Sequence, residues 1–343
     1  MRKPLLIIIV GALLIPACRP VDKQAESAMP PVPSQTSASY AQPDDLPRVT
    51  ETFEPPAPES RVETVTVTNE PQPEVGQMIC EENFCTQAWP GWLERPIGVG
   101  NTRIIDRSYP YGSKGDGDLE LHYGVEFLNQ HGTPVLAAQA GEVVFAGTDD
   151  AVKLGAYYAF YGNVIVLEHP GLLGDERTAF TLYAHLSEID VVMGEQVAVG
   201  DVIGKVGATG GAFGPHLHFE VRVDANENAN TVNPVLWFAP LDDENYPQTV
   251  LLAGLILDQN GNPIPELPFT LEKLSASGEV EMYFYPMTYY LADLNTHPLL
   301  NENFAVPDIP AGEYRLALIA EKYYEYFFKL EPGTVGFITV QLD

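Results

Sequence analysis

Residues 214–220 read Gly214-Pro215-His216-Leu217-His218-Phe219-Glu220, and the way this stretch is read decides the fold. As an extended strand it sends His216 and His218 to one face and Leu217 and Phe219 to the other. Two of only seven histidines then stand together, which suits a metal or a proton-transfer site, while the apolar pair suits a core. The plainer alternative is a strand end with two partly exposed histidines. The choice turns on whether the rest of the chain supplies partners.

Upstream of that stretch the chain is a series of short β-type runs between about residues 134 and 223. "PVLAAQAGEVVFAGT", "GNVIVLEH", "TAFTLYAHL" and "EQVAVGDVIGKVGATG" precede "HLHFEVRV". Val, Ile, Phe and Tyr dominate the runs, and Gly or Asp-type turns bound them. No long stretch has helical period. The reading is all-β: antiparallel sheets in a sandwich or barrel-like groove. "DDAVKLGAYYAFYG" (149–162) reads as a long hairpin connection whose aromatics Tyr157, Tyr158, Phe160 and Tyr161 pack locally or line the rim of a groove.

The 343 residues suffice for two domains with accessories. Residues 1–18 open with Met1-Arg2-Lys3, continue with an apolar stretch of about a dozen residues, and close on Ile15-Pro16-Ala17-Cys18. That stretch is short for a membrane span and reads as a secretory signal. Its ending resembles a bacterial lipoprotein signal, with Cys18 as the lipidated new N-terminus; an ordinary cleaved signal is the alternative. Residues 19–76 are rich in Pro, Ser, Thr, Glu and Gln and poor in large apolar side chains. Such a segment buries too little surface to offset its conformational entropy and is expected to be a disordered linker. Its r.m.s. reach of about 40–45 Å would hold a folded body off a membrane while leaving it mobile.

A formal charge of −29 argues against nucleic acid as a partner, because phosphates need a basic surface. Residues 77–109 form a lead-in with Cys80 and Cys85. In an exported chain "CEENFC" is most simply a local disulfide; a two-cysteine metal site would lack further thiolates.

Three places offer ligand-type side chains near the ends of the β runs. In "LHYGVEF", His122 and Glu126 would be about 13 Å apart along a straight strand, too far to share an ion. A helix would bring them close, but Tyr-Gly-Val is poor helix sequence, whereas Gly124 permits a bend or bulge. "YAHL" places His185 at the close of an alternating strand. "GPHLHFE" is the third. His131, His169 and His297 have no comparable setting and read as surface or structural residues.

Taken in order, "HYGVEF", "GTPVLAAQAGEV", "YAHL" and "TGGAFGPHLHFE" resemble the LytM/lysostaphin-type zinc endopeptidases. The resemblance includes "GNVIVLEH" and "VNPVLWF" and assigns residues 110–240 to the zinc endopeptidase domain. It implies the duplicated hybrid motif, an antiparallel β fold with a groove over one sheet, in agreement with the all-β reading. It further implies Zn2+ held by His122, Glu126 and His218, with His216 and His185 unligated beside it. Catalytic zinc takes three protein ligands, leaves a position for water and lowers that water's pKa. His216 is then expected to act as general base with His185 as its companion, roles the sequence leaves exchangeable. Most of the family has aspartate where this chain has Glu126, and the extra methylene has to be absorbed by backbone or rotamer.

The implied substrate is a peptide bond in bacterial cell-wall peptidoglycan, in a stem-peptide cross-link or a cross-bridge. The expected location is the exported cell envelope, lipid-anchored at Cys18. The competing reading is a non-catalytic peptidoglycan-binding protein or an activator of another wall hydrolase. Relatives of that kind typically lack several of the positions that His122, His185, His216 and His218 fill here. Residues 247–343 restart the β pattern, with turns at Asn260-Gly261-Asn262-Pro263 and Pro310-Ala311-Gly312. They resemble carboxypeptidase-regulatory-like or transthyretin-like β-sandwiches, which usually carry no catalysis.

Overall fold

A computed structural model describes residues 77–89, 91–115, 117, 119–291 and 294–343. The signal, Cys18 and the Pro-rich linker lie outside the described residues.

The first strands are β1 (Ile79–Glu81) and β2 (Phe84–Ala88), a hairpin in which Cys80 and Cys85 are paired and joined by a disulfide. Then come β3 (Val125–Phe127), β4 (Pro134–Leu136), β5 (Gly141–Thr148), β6 (Asn163–Pro170) and β7 (Thr178–Ala184). The short β8 (Glu188–Ile189), β9 (Gln196–Val197) and β10 (Val202–Lys205) lead to β11 (Leu217–Val223) and β12 (Thr231–Val232). After two 3-10 turns the chain forms β13 (Thr249–Leu257), β14 (Thr270–Leu274), β15 (Val280–Phe284) and β16 (Phe304–Pro310). It ends with β17 (Gly312–Ile319), β18 (Tyr323–Leu330) and β19 (Thr334–Gln341). The protein is all-β, as the alternating runs imply.

The central sheet has the order β12-β11-β7-β6-β5-β9, with β3 also paired to β11, and its strand pairs are antiparallel. Along β11 the odd residues Leu217, Phe219 and Val221 enter the main core with Tyr183, Val125 and Phe127. Fully burying Phe219 contributes about 1.5–3 kcal/mol. The even residues His218, Glu220 and Arg222 occupy the opposite face and are also buried. That face is closed by the 149–162 connection, where Leu154 and Tyr161 pack on Val164, Leu182 and Ala184. Gly162 and Gly210, both at positive φ, meet where this connection touches the 209–211 loop. A Cβ on Gly162 would lie 2.4 Å from the Gly210 nitrogen, so only glycine fits.

The C-terminal strands form two sheets, β15-β14-β17-β18 and β1-β2-β19-β13-β16, around a second core that includes Leu252, Leu271, Phe304, Leu316 and Ile338. The lead-in therefore divides. β1 and β2 extend the C-terminal sheet through β19, while Trp89, Trp92, Ile97 and Ile105 enter the core under the central sheet. Leu251, Ala253 and Val335, on the other face of the same C-terminal sheet, enter that core as well. His297 is buried against Trp89, Trp92 and Trp237, with ring centroids 5.3–5.5 Å away. Arg95 and Asp308 add a buried bidentate pair at 2.7 and 3.0 Å.

Candidate metal centre and its histidines

Strand register builds the site. His218, second residue of β11, lies directly across from Glu126 on β3 and from Ala184 on β7. Directly opposed side chains on adjacent strands share a face, so Glu126 and His218 meet without any bend of their own. His122 reaches the same point because its segment is tied back: its N–H donates to the Ser113 carbonyl at 2.9 Å, and Gly112 N–H donates to its carbonyl at 2.8 Å. Gly124 lets the chain pass. A Cβ there would stand 2.6 Å from His218 Cε1 and 2.7 Å from the Phe219 oxygen. The ring of Tyr109 lies parallel to His122, 4.1 Å away and inclined by 6°, and fixes its plane.

The three side chains present a triangle of donor atoms. His122 Nε2 and His218 Nδ1 are 3.3 Å apart, and Glu126 Oε1 is 3.0 Å from each. Metal–ligand bonds of about 2.0–2.1 Å at tetrahedral angles subtend edges of about 3.3–3.4 Å. The donor set and its spacing therefore fit one face of a zinc tetrahedron. Among the described residues these are the three side chains grouped tightly enough to hold an ion.

Burial opposes ionisation of Glu126, yet His218 and His122 hold its carboxyl well below the usual range. Burial likewise opposes charge on His218, but Glu126 and Glu220 raise it to about 9. The pocket thus draws positive charge to the centre of the triangle.

His218 has a second partner. Its Nε2 faces Glu220 Oε1 at 3.1 Å, and Glu220 is in turn bound by Tyr161 Oη and by Arg222, whose Nε donates at 2.8 Å. Arg222 also donates to the Leu154 carbonyl at 2.9 Å, anchoring the aromatic connection. Despite burial, Arg222 and His218 bring the Glu220 carboxyl down to about 2. A carboxylate on the outer nitrogen fixes the ring and turns Nδ1 toward the triangle, where it could hold a metal.

His185 and His216 stand beside the triangle, their ring centroids 4.8 Å apart. His185 Nδ1 meets the Thr209 carbonyl at 2.8 Å, and His216 Nδ1 meets the Gly214 carbonyl at 2.8 Å. A carbonyl can only accept, so each Nδ1 carries a proton and each Nε2 is the nitrogen turned away from that contact. His216 Nε2 lies 3.2 Å from Glu126 Oε2. Burial first, then His218 and His216, push His185 down to about 4, so it is neutral at neutral pH. His185 also sits at φ 60°, a left-handed conformation unusual outside glycine and one that clusters at functional sites.

All five site residues named from the sequence are thus brought together. His131 is exposed and His169 is buried between the Ala140 carbonyl and Thr181 Oγ1, both apart from the site. Sequence reasoning gave no role to Glu220, Arg222 or Tyr109 and left Tyr161 undecided. The signal for the first two was present: His216, His218, Glu220 and Arg222 alternate along one strand face.

Residues 120–234, about a third of the chain, match the family model described as Peptidase family M23, so this segment is a Peptidase M23 domain. Its relatives there are of the LytM/lysostaphin type. It is 40% identical over 115 residues to the DD-carboxypeptidase/endopeptidase Mpg of Neisseria meningitidis, covering 34% of this chain and 22% of Mpg. It is 34% identical over 127 residues to lysostaphin of Staphylococcus simulans, covering 37% and 22%. Over 117 residues it is 34% identical to the peptidoglycan DD-endopeptidase ShyC of Vibrio cholerae, covering 34% and 24%. The match thus spans less than a quarter of each of these relatives. Among solved structures, the catalytic domain of lysostaphin from Staphylococcus simulans is 34% identical with a TM-score of 0.31, covering 38% of this chain and 87% of that one.

Proposed function

We propose that the protein is a zinc-dependent endopeptidase that hydrolyses peptide bonds in bacterial peptidoglycan. The observation that carries the reading is the triangle of His122 Nε2, Glu126 Oε1 and His218 Nδ1, whose edges of 3.0–3.3 Å suit zinc. When bound there, zinc would polarise the scissile carbonyl and acidify the attacking water. The chain's own groups do the rest. His216 receives the water's proton on Nε2, because Nδ1–H is committed to Gly214, and returns it to the leaving amine as the C–N bond breaks. His185, neutral and with its own Nε2 free to accept, orients the water beside His216. Glu220 and Tyr161 hold the plane of His218.

The names of the relatives, DD-endopeptidase and glycyl-glycine endopeptidase among them, support peptidoglycan as the substrate. The Cys80–Cys85 disulfide supports an oxidising compartment, and the signal-like residues 1–18 support an envelope location with lipid on Cys18.

Digestion of purified cross-linked peptidoglycan, followed by mass spectrometry of the released fragments, tests this reading and identifies the bond. The zinc-loaded protein is expected to release new amino termini at one kind of peptide bond, and His216→Ala to release none while retaining its zinc. Intact peptidoglycan after incubation with the zinc-loaded protein would refute the proposal.

A further inference from the structure

The strand β18 ends the sheet β15-β14-β17-β18 on one side. It pairs with β17 along its whole length, from Tyr323 opposite Ile319 to Leu330 opposite Gly312. Its other edge is open: among the described residues no main-chain partner meets it. The even residues Tyr324, Phe328 and Leu330 are buried in the second core, and Tyr326 packs against it. The odd residues Tyr323, Glu325, Phe327 and Lys329 face outward, with Phe327 63% and Tyr323 54% exposed. An open edge of eight residues carrying exposed aromatic rings is a template for another strand.

The order of the outward residues selects the partner. Glu325, Phe327 and Lys329 present an acid, an aromatic ring and a base on alternate residues. Let two copies of this strand meet antiparallel about a two-fold axis at Phe327. Glu325 of each copy then lies opposite Lys329 of the other, and Phe327 lies opposite itself. The pleat permits this register, because it opposes odd residues to odd, and residues of like parity turn their main-chain groups to the same edge. A slip of one residue would set outward side chains against inward ones. A slip of two opposes Glu325 to Glu331 in one direction and to Phe327 in the other. Within one copy these charges are lightly held. Lys329 reaches Glu331 at 2.6 Å and Glu325 reaches Arg315 at 3.7 Å, pairs open to solvent that exchange partners at little cost.

We propose that the open edge of β18 binds a second copy of this chain, joining two four-stranded sheets into one antiparallel sheet across a two-fold axis at Phe327. The interface is isologous and occupies the β18 edge of both copies, so assembly through it stops at the dimer. The charge of −29 on each copy is screened beyond about 8 Å at physiological ionic strength. Local contacts therefore govern the pairing: main-chain hydrogen bonds, the Phe327 rings and two Glu325–Lys329 pairs. Such a dimer stands whether or not the metal centre is a peptidase.

The test is sedimentation velocity of the purified protein over a concentration series, with thermal melts to check that each variant folds. The wild type is expected to form a dimer that dissociates on dilution. Lys329→Glu and Glu325→Lys each oppose like charges twice, and each should weaken the dimer at least about fivefold. The double exchange Glu325→Lys/Lys329→Glu recreates opposite charges in the same register and should recover the dimer. An equimolar mixture of the two single variants should recover it as a heterodimer. Should a single variant lose its cooperative melt, Phe327→Glu, directly across from Arg315 on β17, repeats the comparison by opposing two carboxylates at the axis. A wild type that stays monomeric throughout the series would overturn the proposal. So would a dimer indifferent to these substitutions, which would place the contact on another face. Failure of both the double exchange and the mixture to recover the dimer would overturn the pairing of Glu325 with Lys329.

Discussion

His218 and Glu220 project from the same face of β11 and meet through Nε2 and Oε1 at 3.1 Å, so one strand supplies both a member of the donor triangle and the group that orients it. Replacing Glu220 with Gln removes the charge that fixes His218 and leaves Arg222 buried opposite a neutral amide. Zinc affinity should fall about 10–100-fold. Competition with a chelator at neutral pH measures this, and unchanged affinity would show that the pair has no part in metal binding.

Gly124 faces the same ring from the other side. In Gly124→Ala the added methyl lies 2.6 Å from His218 Cε1 and 2.7 Å from a backbone oxygen. Neither can yield freely, since His218 is held by Glu126 and Glu220 and the oxygen belongs to β11. A loss of about 1–3 kcal/mol in stability is expected, together with weaker zinc binding. Denaturant unfolding of metal-free and zinc-loaded protein separates the two effects.

The buried pair Arg95–Asp308 ties the lead-in to β16, and Asp308 also accepts from Ile105 N–H at 3.0 Å. Asp308→Ala leaves the buried guanidinium without its counter-charge, with the Ala239 and Arg103 carbonyls at 3.2 and 3.5 Å and the Phe238 ring 4.8 Å away as its remaining partners. The expected cost is about 3–5 kcal/mol. A change below about 1 kcal/mol in urea unfolding would show that water replaces the carboxylate.

Glu302 gives a pH signature outside the donor triangle. It accepts from Tyr289 Oη at 2.8 Å and from His297 N–H at 3.0 Å, and burial pushes its carboxyl up to about 7 from 4.5. Between those values the unfolded chain binds fewer protons than the folded one, so stability falls as pH rises through that window and is level above it. His169 and His297, pushed by burial to about 4 and about 3, act in the opposite sense below pH 6.5. Those two are common to wild type and Glu302→Gln, so the difference between the proteins isolates Glu302. Wild type should lose ground against the variant from pH 4.5 to about 7. A difference that stays constant across this range would contradict the assignment.

Much of this site was legible because it is built on strand period and short spacings. His216-Leu217-His218 announces a two-faced strand, and Gly124 between His122 and Glu126 announces a close approach. What escaped was set by pairing between distant segments. That His218 stands opposite Glu126 is a matter of register between β3 and β11, and Tyr161 meets Glu220 only once a long connection folds over the sheet. The placement of β1 and β2 beside β19 joins chain segments some 250 residues apart, with no local pattern to betray it. The same holds for Arg95 and Asp308. A lone arginine in a lead-in looks like surface until its carboxylate arrives from β16.

The central claim is that His122, Glu126 and His218 hold zinc, and the most direct measurement is the metal content of the protein purified without added metal, beside His218→Ala. The account expects about one zinc per chain, lost in the variant. A protein that takes up no zinc even after supplementation, or a His218→Ala variant that retains it fully, would contradict the account.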